Sequence, residues 1–238
     1  METIEYNGQK LYLCGPTREL IAILDDTLRT RSQMRMATVF GIEGSGKTEI
    51  ARGWCEQHRE QASYIIPDPS SCITVARLLM LIEAALGITP QPGMAKWQRL
   101  QGIIQSLRQT PRMLVIDEAH RIGTGPLMEI MQHIHDMAQT RIAFVAMPRM
   151  RPAFTRRGEL GRRVNISREL PLITTDEIAE ILGDLSREVT DQIHHCGDGS
   201  LGRMLVLAGH VRRAKVADQK ASTVTRIARR MTAFGAGK

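Results

Sequence analysis

The 238-residue chain is poor in aromatic residues, which make up 4% of it. Proteins that read single-stranded nucleic acid stack bases on clustered Phe, Tyr and Trp, so that class is disfavoured. No apolar run approaches the roughly 18 residues needed to cross a bilayer. Four scattered cysteines, Cys14, Cys55, Cys72 and Cys196, form no C-x-x-C pair. That arrangement supports neither a zinc ribbon nor a disulfide scaffold. The opening Met1-Glu2-Thr3-Ile4-Glu5 lacks the basic and apolar regions of a signal peptide. A cytoplasmic protein with no membrane partner is expected.

Basic charge is abundant, and it is uneven. Lys and Arg number 32 against 25 Asp and Glu, a net +7. From Arg203 onward nine basic residues face one acid, Asp218, so this stretch carries +8 and residues 1–202 carry −1. Residues 149–168 hold seven arginines against one acid, Glu159. Clustered positive charge points to a polyanion, most often nucleic acid. With so few aromatics, contacts to the phosphate backbone should dominate.

Short apolar runs alternate with helical patterns. Strands are expected at 37–41, 63–67, 112–116, 141–146 and 163–167. Helices are expected at 47–59, 74–86, 96–108 and 126–138. That alternation predicts an α/β fold with a five-stranded parallel sheet. After Pro171 strand signals stop, and three helices are expected at 175–185, 186–196 and 201–218. The expected organisation is a nucleotide-binding α/β domain over 1–170 and a small helical lid with a basic tail over 171–238.

Residues 41–48, GIEGSGKT, satisfy G-x-x-x-x-G-K-[ST] between an expected strand and helix, the context that makes the motif credible. Gly41, Gly44 and Gly46 let backbone N–H groups converge on phosphate oxygens at a helix N-terminus. Lys47 would reach the β- and γ-phosphates of ATP, and the Thr48 hydroxyl would ligate Mg²⁺. Glu43, Ser45 and Glu49 complete the expected nucleotide-binding stretch. The run Met113-Leu-Val-Ile-Asp117-Glu118 ends a buried strand in two carboxylates, too expensive there to be core. Asp117 would hold Mg²⁺ through water and Glu118 would activate the attacking water. The sequence Asp-Glu-Ala-His also suggests a helicase, but such an enzyme needs two cores and one is present. His120 is expected to be a surface or polar-sensing residue.

The segments GIEGSGKTE, YIIPDPSSCITVARLL, MLVIDEAHRIG, RIAFVAM and GSLGRMLVLAGHVRRA resemble the P-loop AAA+ ATPases in order and spacing. Within them the resemblance is to the transposition regulators typified by the phage Mu B protein and its Tn7-type relatives, over about residues 10–215. It implies an ATP- and Mg²⁺-dependent homo-oligomer, ring or filament, that binds double-stranded DNA without sequence preference and selects targets for a transposase. By the same resemblance Arg203 is the lid arginine that senses the γ-phosphate. Arg162 is the finger donated to a neighbouring subunit, with Arg163 an adjacent competitor. Where a polar sensor residue is usual, this chain has Pro148-Arg149, so either Arg149 takes that role or hydrolysis is slow. The chain starts close to the core, without the DNA-reading domain of the Mu protein, which leaves DNA binding to the core itself. The DNA-facing segments correspond to 70–77 and 93–99, with Ser71, Thr74, Arg77, Lys96 and Arg99 as contacts and Trp97 expected to pack locally. Two other functions compete: a helicase loader or replication-accessory ATPase, and a secretion or structural ATPase that binds no nucleic acid.

The remaining groups carry less. His133-x-His135 points to different helix faces, and adjacent His194, His195 and Cys196 converge poorly on one ion. Met113, Met128, Met131, Met137, Met147 and Met204 are read mostly as core filler.

Overall fold

The computed structural model describes residues 2–6, 9–31, 35–67, 73–91, 93–122, 125–155, 162–214 and 219–235. It divides into two compact units, one of Met1–Glu19, Ile42–Lys47 and Pro171–Lys238, the other of Leu20–Gly41 and Thr48–Leu170.

The second unit is built on a parallel sheet of five strands. These are β3 (Met36–Phe40), β4 (Ala62–Ile65), β5 (Met113–Ile116), β6 (Ile142–Ala146) and β7 (Val164–Glu169), in the order β4-β5-β6-β3-β7. Each falls within a residue or two of its expected span. Every residue of β3, β5 and β6 is buried, as their unbroken apolar sequences require when helices cover both sheet faces. The edge strand β7 alternates and is largely exposed. Among the described residues, the helices that serve this sheet are α2 (Lys47–Gln57), α3 (Val75–Leu86), α4 (Lys96–Gln109), α5 (Pro126–Ala138) and α6 (Arg151–Thr155). Local chemistry sets their ends. The Thr74 hydroxyl caps α3 by accepting from the Arg77 amide at 3.2 Å, and Gly87, at φ 71°, ends it. Pro126 opens α5. The core centres on Phe40, Leu78, Leu79, Ile82, Ile103, Leu107, Ile116, Met131 and Phe144.

Residues before 36 gave no expected element, yet they form a hairpin, β1 (Thr3–Tyr6) with β2 (Gln9–Tyr12), and the helix α1 (Gly15–Arg29). The hairpin strands are too short and polar to show a pattern. In the first unit the helices among the described residues after Pro171 are α7 (Thr175–Ile181), α8 (Arg187–Gly197), α9 (Leu201–Arg213) and α10 (Ala221–Gly235). Thr174 and Glu177 form a reciprocal capping box at the start of α7, and Ser186 and Ser200 cap α8 and α9. Two expectations change. Helix α9 stops at Arg213 rather than 218, and the stretch read as a basic tail is α10. Its Val224 and Ala228 are buried with Ile178, Ile193, Met204 and Leu207, an apolar stripe that the density of arginines obscures. No helix among the described residues is long and apolar enough to cross a membrane.

Of the six methionines expected in the core, Met113, Met128, Met131 and Met204 are buried, whereas Met137 is 41% exposed.

Candidate nucleotide site and nucleic-acid face

β3 runs directly into the glycine loop, which turns into α2 at Lys47. Gly44 and Gly46 have φ of 72° and 84°, a left-handed geometry that residues with a Cβ rarely adopt and that turns successive N–H groups toward one point. Gly44 is constrained twice, because a Cβ there would collide with Ser200 Oγ. Its carbonyl accepts from the Gly202 amide at 2.8 Å, so the first turn of α9 rests on the loop, with half-buried Arg203 next in sequence. A Cβ on Gly46 would lie 3.4 Å from the Thr17 methyl. The Thr17 hydroxyl donates toward the Tyr12 and Cys14 carbonyls, each at 2.9 Å. The Lys47 ammonium is buried and donates to the Ile42 carbonyl at 2.5 Å and to Ser45 Oγ at 3.2 Å. Glu43 and Glu49 are exposed, and Thr48 is half-buried.

The carboxylate pair sits at the carboxyl end of β5, the edge of the sheet from which the glycine loop also departs. Asp117 is buried. Its Oδ1 accepts from the Glu118 amide and its Oδ2 from the Tyr64 hydroxyl, both at 2.8 Å. Tyr64 lies on β4, paired in register with Val115. Burial and then the charge of Asp117 push its phenol well above the ordinary range, so it remains a donor. The Arg52 guanidinium of α2 stands 5.6 Å from the Tyr64 ring centroid. Buried Cys55, on the same helix, is an inert thiol whose pKa burial and the Asp117 charge push up to about 12.

Glu118 adopts φ 48°, unusual for a residue with a side chain. Its Oε2 lies 3.4 Å from His120 Nε2 and 3.7 Å from Arg121 Nε. Burial holds the His120 pKa below its ordinary value despite Glu118, and the charges of Arg121 and Arg149 lower it further. His120 is thus a neutral partner of Glu118 near pH 7. Arg149 is exposed on the turn Pro148–Met150 after β6.

The two finger candidates part company. Arg163 donates to both oxygens of Asp136, at 2.7 and 2.6 Å, and holds that carboxyl below the usual range. Arg162 is exposed. Segment 156–161, which precedes it, lies outside the described residues.

Of the five expected DNA contacts, Ser71 lies outside the described residues. Thr74 and Arg77 at the start of α3 and Lys96 at the start of α4 are exposed. Arg99 is not: it lies 3.5 Å from the buried Glu83 carboxylate, with 15% of its side chain accessible. Spacing within one helix could not reveal that counter-ion, which comes from α3. Removing it strands a buried carboxylate, so Arg99→Ala should lower unfolding stability by about 3 kcal/mol, measured by denaturant titration, with Arg99→Lys recovering part of the loss. An unchanged transition midpoint would return Arg99 to the DNA face. Trp97 does not pack locally as expected and is 66% exposed. It shares a stripe with half-buried Leu100 and buried Ile104, and that stripe leaves the core before the first turn of α4.

Sequence reasoning missed Tyr64, Thr17 and Ser200. Tyr64 stands in an apolar strand pattern that gives no sign of a polar role, and its partner is 53 positions away. His194 is structural, with ring nitrogens at the Ile173 carbonyl and the Thr175 hydroxyl. His135 is buried against the Thr140 carbonyl.

The model of a protein family described as an AAA domain matches residues 29–154. No curated protein matches the chain. Among solved structures, the chain is similar to the Aeropyrum pernix ORC2 protein in its ADPNP–ADP complexes, with 16% identity and a TM-score of 0.64 over 90% of this chain and 66% of that one. It is similar to the Aeropyrum pernix ORC1 protein in complex with DNA, with 17% identity and a TM-score of 0.56 over 91% of this chain and 64% of that one. The Thermotoga maritima RuvB Holliday junction branch migration motor matches with 16% identity and a TM-score of 0.56, over 89% and 66%. The chain thus spans just under two thirds of the length of each. At these identities the likeness is one of fold.

Proposed function

This chain belongs to the AAA domain family, and from that premise we propose that it is an ATPase that assembles on double-stranded DNA and selects target DNA for a transposase. One observation carries the ATPase reading. The adjacent carboxylates Asp117 and Glu118 end β5 in the same parallel sheet whose β3 feeds the glycine loop. The residues fit the groups such a reaction needs. Gly44 and Gly46 offer inward N–H groups for phosphate oxygens, and the Thr48 hydroxyl and Asp117 carboxylate are the hard oxygen donors that suit Mg²⁺. When bound, Mg²⁺ draws negative charge from the phosphate oxygens.

The chain's own groups do the rest. The Lys47 ammonium exchanges Ile42 and Ser45 for the β- and γ-phosphates. Tyr64 and the Glu118 amide hold the Asp117 carboxylate in one orientation while leaving lone pairs on each oxygen. Glu118 orients and deprotonates the attacking water. Arg203 reaches the γ-phosphate from the lid (171–238), whose helix α9 already rests on Gly44. Arg162 is offered to a neighbouring copy, since Arg163 is held by Asp136. Residues 1–170 act as the nucleotide-binding domain.

The reading of duplex DNA as partner rests on the +8 carried from Arg203 onward and on the exposure of Thr74, Arg77, Lys96 and Trp97. It is consistent with the fold shared with an ORC1 protein captured on DNA. The transposase comes from the resemblance of the quoted motifs to transposition regulators. The fold likeness to ORC proteins favours the second reading, a replication-accessory ATPase. A titration of random-sequence duplex and single strands in the presence of an ATP analogue tests both. Duplex affinity should be nearly independent of sequence and fall on the order of 10³-fold from 50 to 200 mM salt if about six phosphates are neutralised. Tight sequence specificity or salt-insensitivity overturns the duplex reading, and a single-strand preference favours the replication-accessory one.

A further inference from the structure

Helix α10 divides cleanly in two. At 100° per residue, Thr223, Val224, Ile227, Ala228 and Met231 occupy one side, and all are buried or half-buried in the lid core. The opposite side, about 100° wide, carries Ser222, Arg226, Arg229 and Arg230, all exposed. Residues 219–238 contain five basic residues and no acid. Two other lid arginines are already paired with carboxylates: Arg187 with Asp176 and Asp191, and Arg212 with both oxygens of Asp184. Arg226 and Arg230 make no ion pair among the described residues. From this division we infer that the outer face of α10 is a phosphate-contacting surface for duplex DNA.

Three features select that partner. An amphipathic basic helix docks on a lipid surface through its apolar side, and here that side is buried in the lid. The exposed side has no aromatic residue to stack on an unpaired base, so it can address only the backbone. Arg226 and Arg230 are separated by a rise of about 6 Å, roughly two phosphate steps of one duplex strand at 3.4 Å each along the axis. Guanidinium groups fit paired phosphate oxygens, and Ser222 adds a hydroxyl on the same line. Because the helix is anchored by its buried stripe, the arginines meet the backbone without the ordering cost of a disordered tail. This inference rests on the duplex-binding reading for the identity of the polyanion and adds the place where it is met.

The test uses the full chain with a non-hydrolysable ATP analogue and a random-sequence duplex, followed by fluorescence anisotropy from 50 to 200 mM salt. Arg226→Gln with Arg230→Gln should lower the salt slope by about 1.8 and weaken affinity on the order of 60-fold at 0.1 M salt, with the thermal unfolding midpoint unchanged. Arg226→Lys with Arg230→Lys should restore most of the slope, which a merely structural defect would not allow. If the wild type binds duplex and the Gln pair binds with the same slope, the α10 surface is refuted while the duplex reading stands. If the wild type does not bind duplex, both fail. If the Gln pair loses self-assembly without DNA present, the face pairs with acidic groups of a second copy, and the inference is overturned.

Discussion

Glu118→Gln should bind ATP as the wild type does, lose about 10²- to 10⁴-fold in turnover, and accumulate long-lived assemblies on DNA. The reason is local. Substitution by the amide keeps the shape of the side chain and the bond from its own amide to Asp117 Oδ1, but it removes the only function that cannot be shared, acceptance of a proton from water. Asp117, Tyr64 and the glycine loop are untouched, so the phosphate cradle survives. Lys47→Ala should do the opposite. Its buried ammonium is the strongest point charge of the loop, and losing a charge-assisted hydrogen bond worth about 1.5–3 kcal/mol weakens ATP about 10- to 100-fold. Assembly and DNA binding should fall with it. Equilibrium binding of a fluorescent ATP analogue separates the two variants, and competition with unlabelled protein reads how fast each assembly comes apart. If both disassemble equally fast, hydrolysis is not what releases the protein.

The second large effect belongs to Arg162. A finger that meets charge developing on the γ-phosphate is worth about 10³–10⁵ in rate, so Arg162→Ala should bind ATP nearly normally as a monomer and hydrolyse it poorly even on saturating DNA. Arg163→Ala should behave differently. It breaks a pair of hydrogen bonds to Asp136, and its first symptom should be a lower unfolding midpoint. Mixing Arg162→Ala with Lys47→Ala supplies an intact pocket from one copy and an intact finger from the other, and turnover should partly return. Co-sedimentation establishes that the two variants share assemblies. If they do and no activity returns, while Arg163→Ala passes the same mixing test, Arg163 is the finger. If neither restores activity, the site is not completed in trans.

Legibility in the sequence followed the range of the interactions. The five strands, the glycine loop and Asp117-Glu118 were readable because each is written in a handful of consecutive residues: apolar runs for strands buried on both faces, glycines where φ must be positive, acids where burial would otherwise forbid them. The helix starts at Thr74 and Pro126 were readable for the same reason, since caps and first-turn prolines act over a single turn. The first 35 residues gave no expected element: the two four-residue hairpin strands carry too little local pattern, although α1, with Pro16 in its first turn, carries the same start signal as Pro126.

What only the tertiary structure decided lies in pairs far apart along the chain. Tyr64 on Asp117 is a contact across 53 residues. Arg99 and Arg163, both legible as exposed basic residues, are claimed by Glu83 of α3 and Asp136 of α5; Glu83 is buried, which makes its claim on Arg99 stronger than solvation. The basic segment after Arg212 showed the same limit. Its composition announced a polyanion surface, but whether it would be a loose tail or a helix depended on whether Val224 and Ala228 could find apolar partners, and those partners are Ile193, Met204 and Leu207 of other helices. By itself the sequence determined the elements and the chemistry of the loop. Packing decided which charges remain free to act, because a charge becomes available or committed only when the fold brings, or fails to bring, its counter-ion.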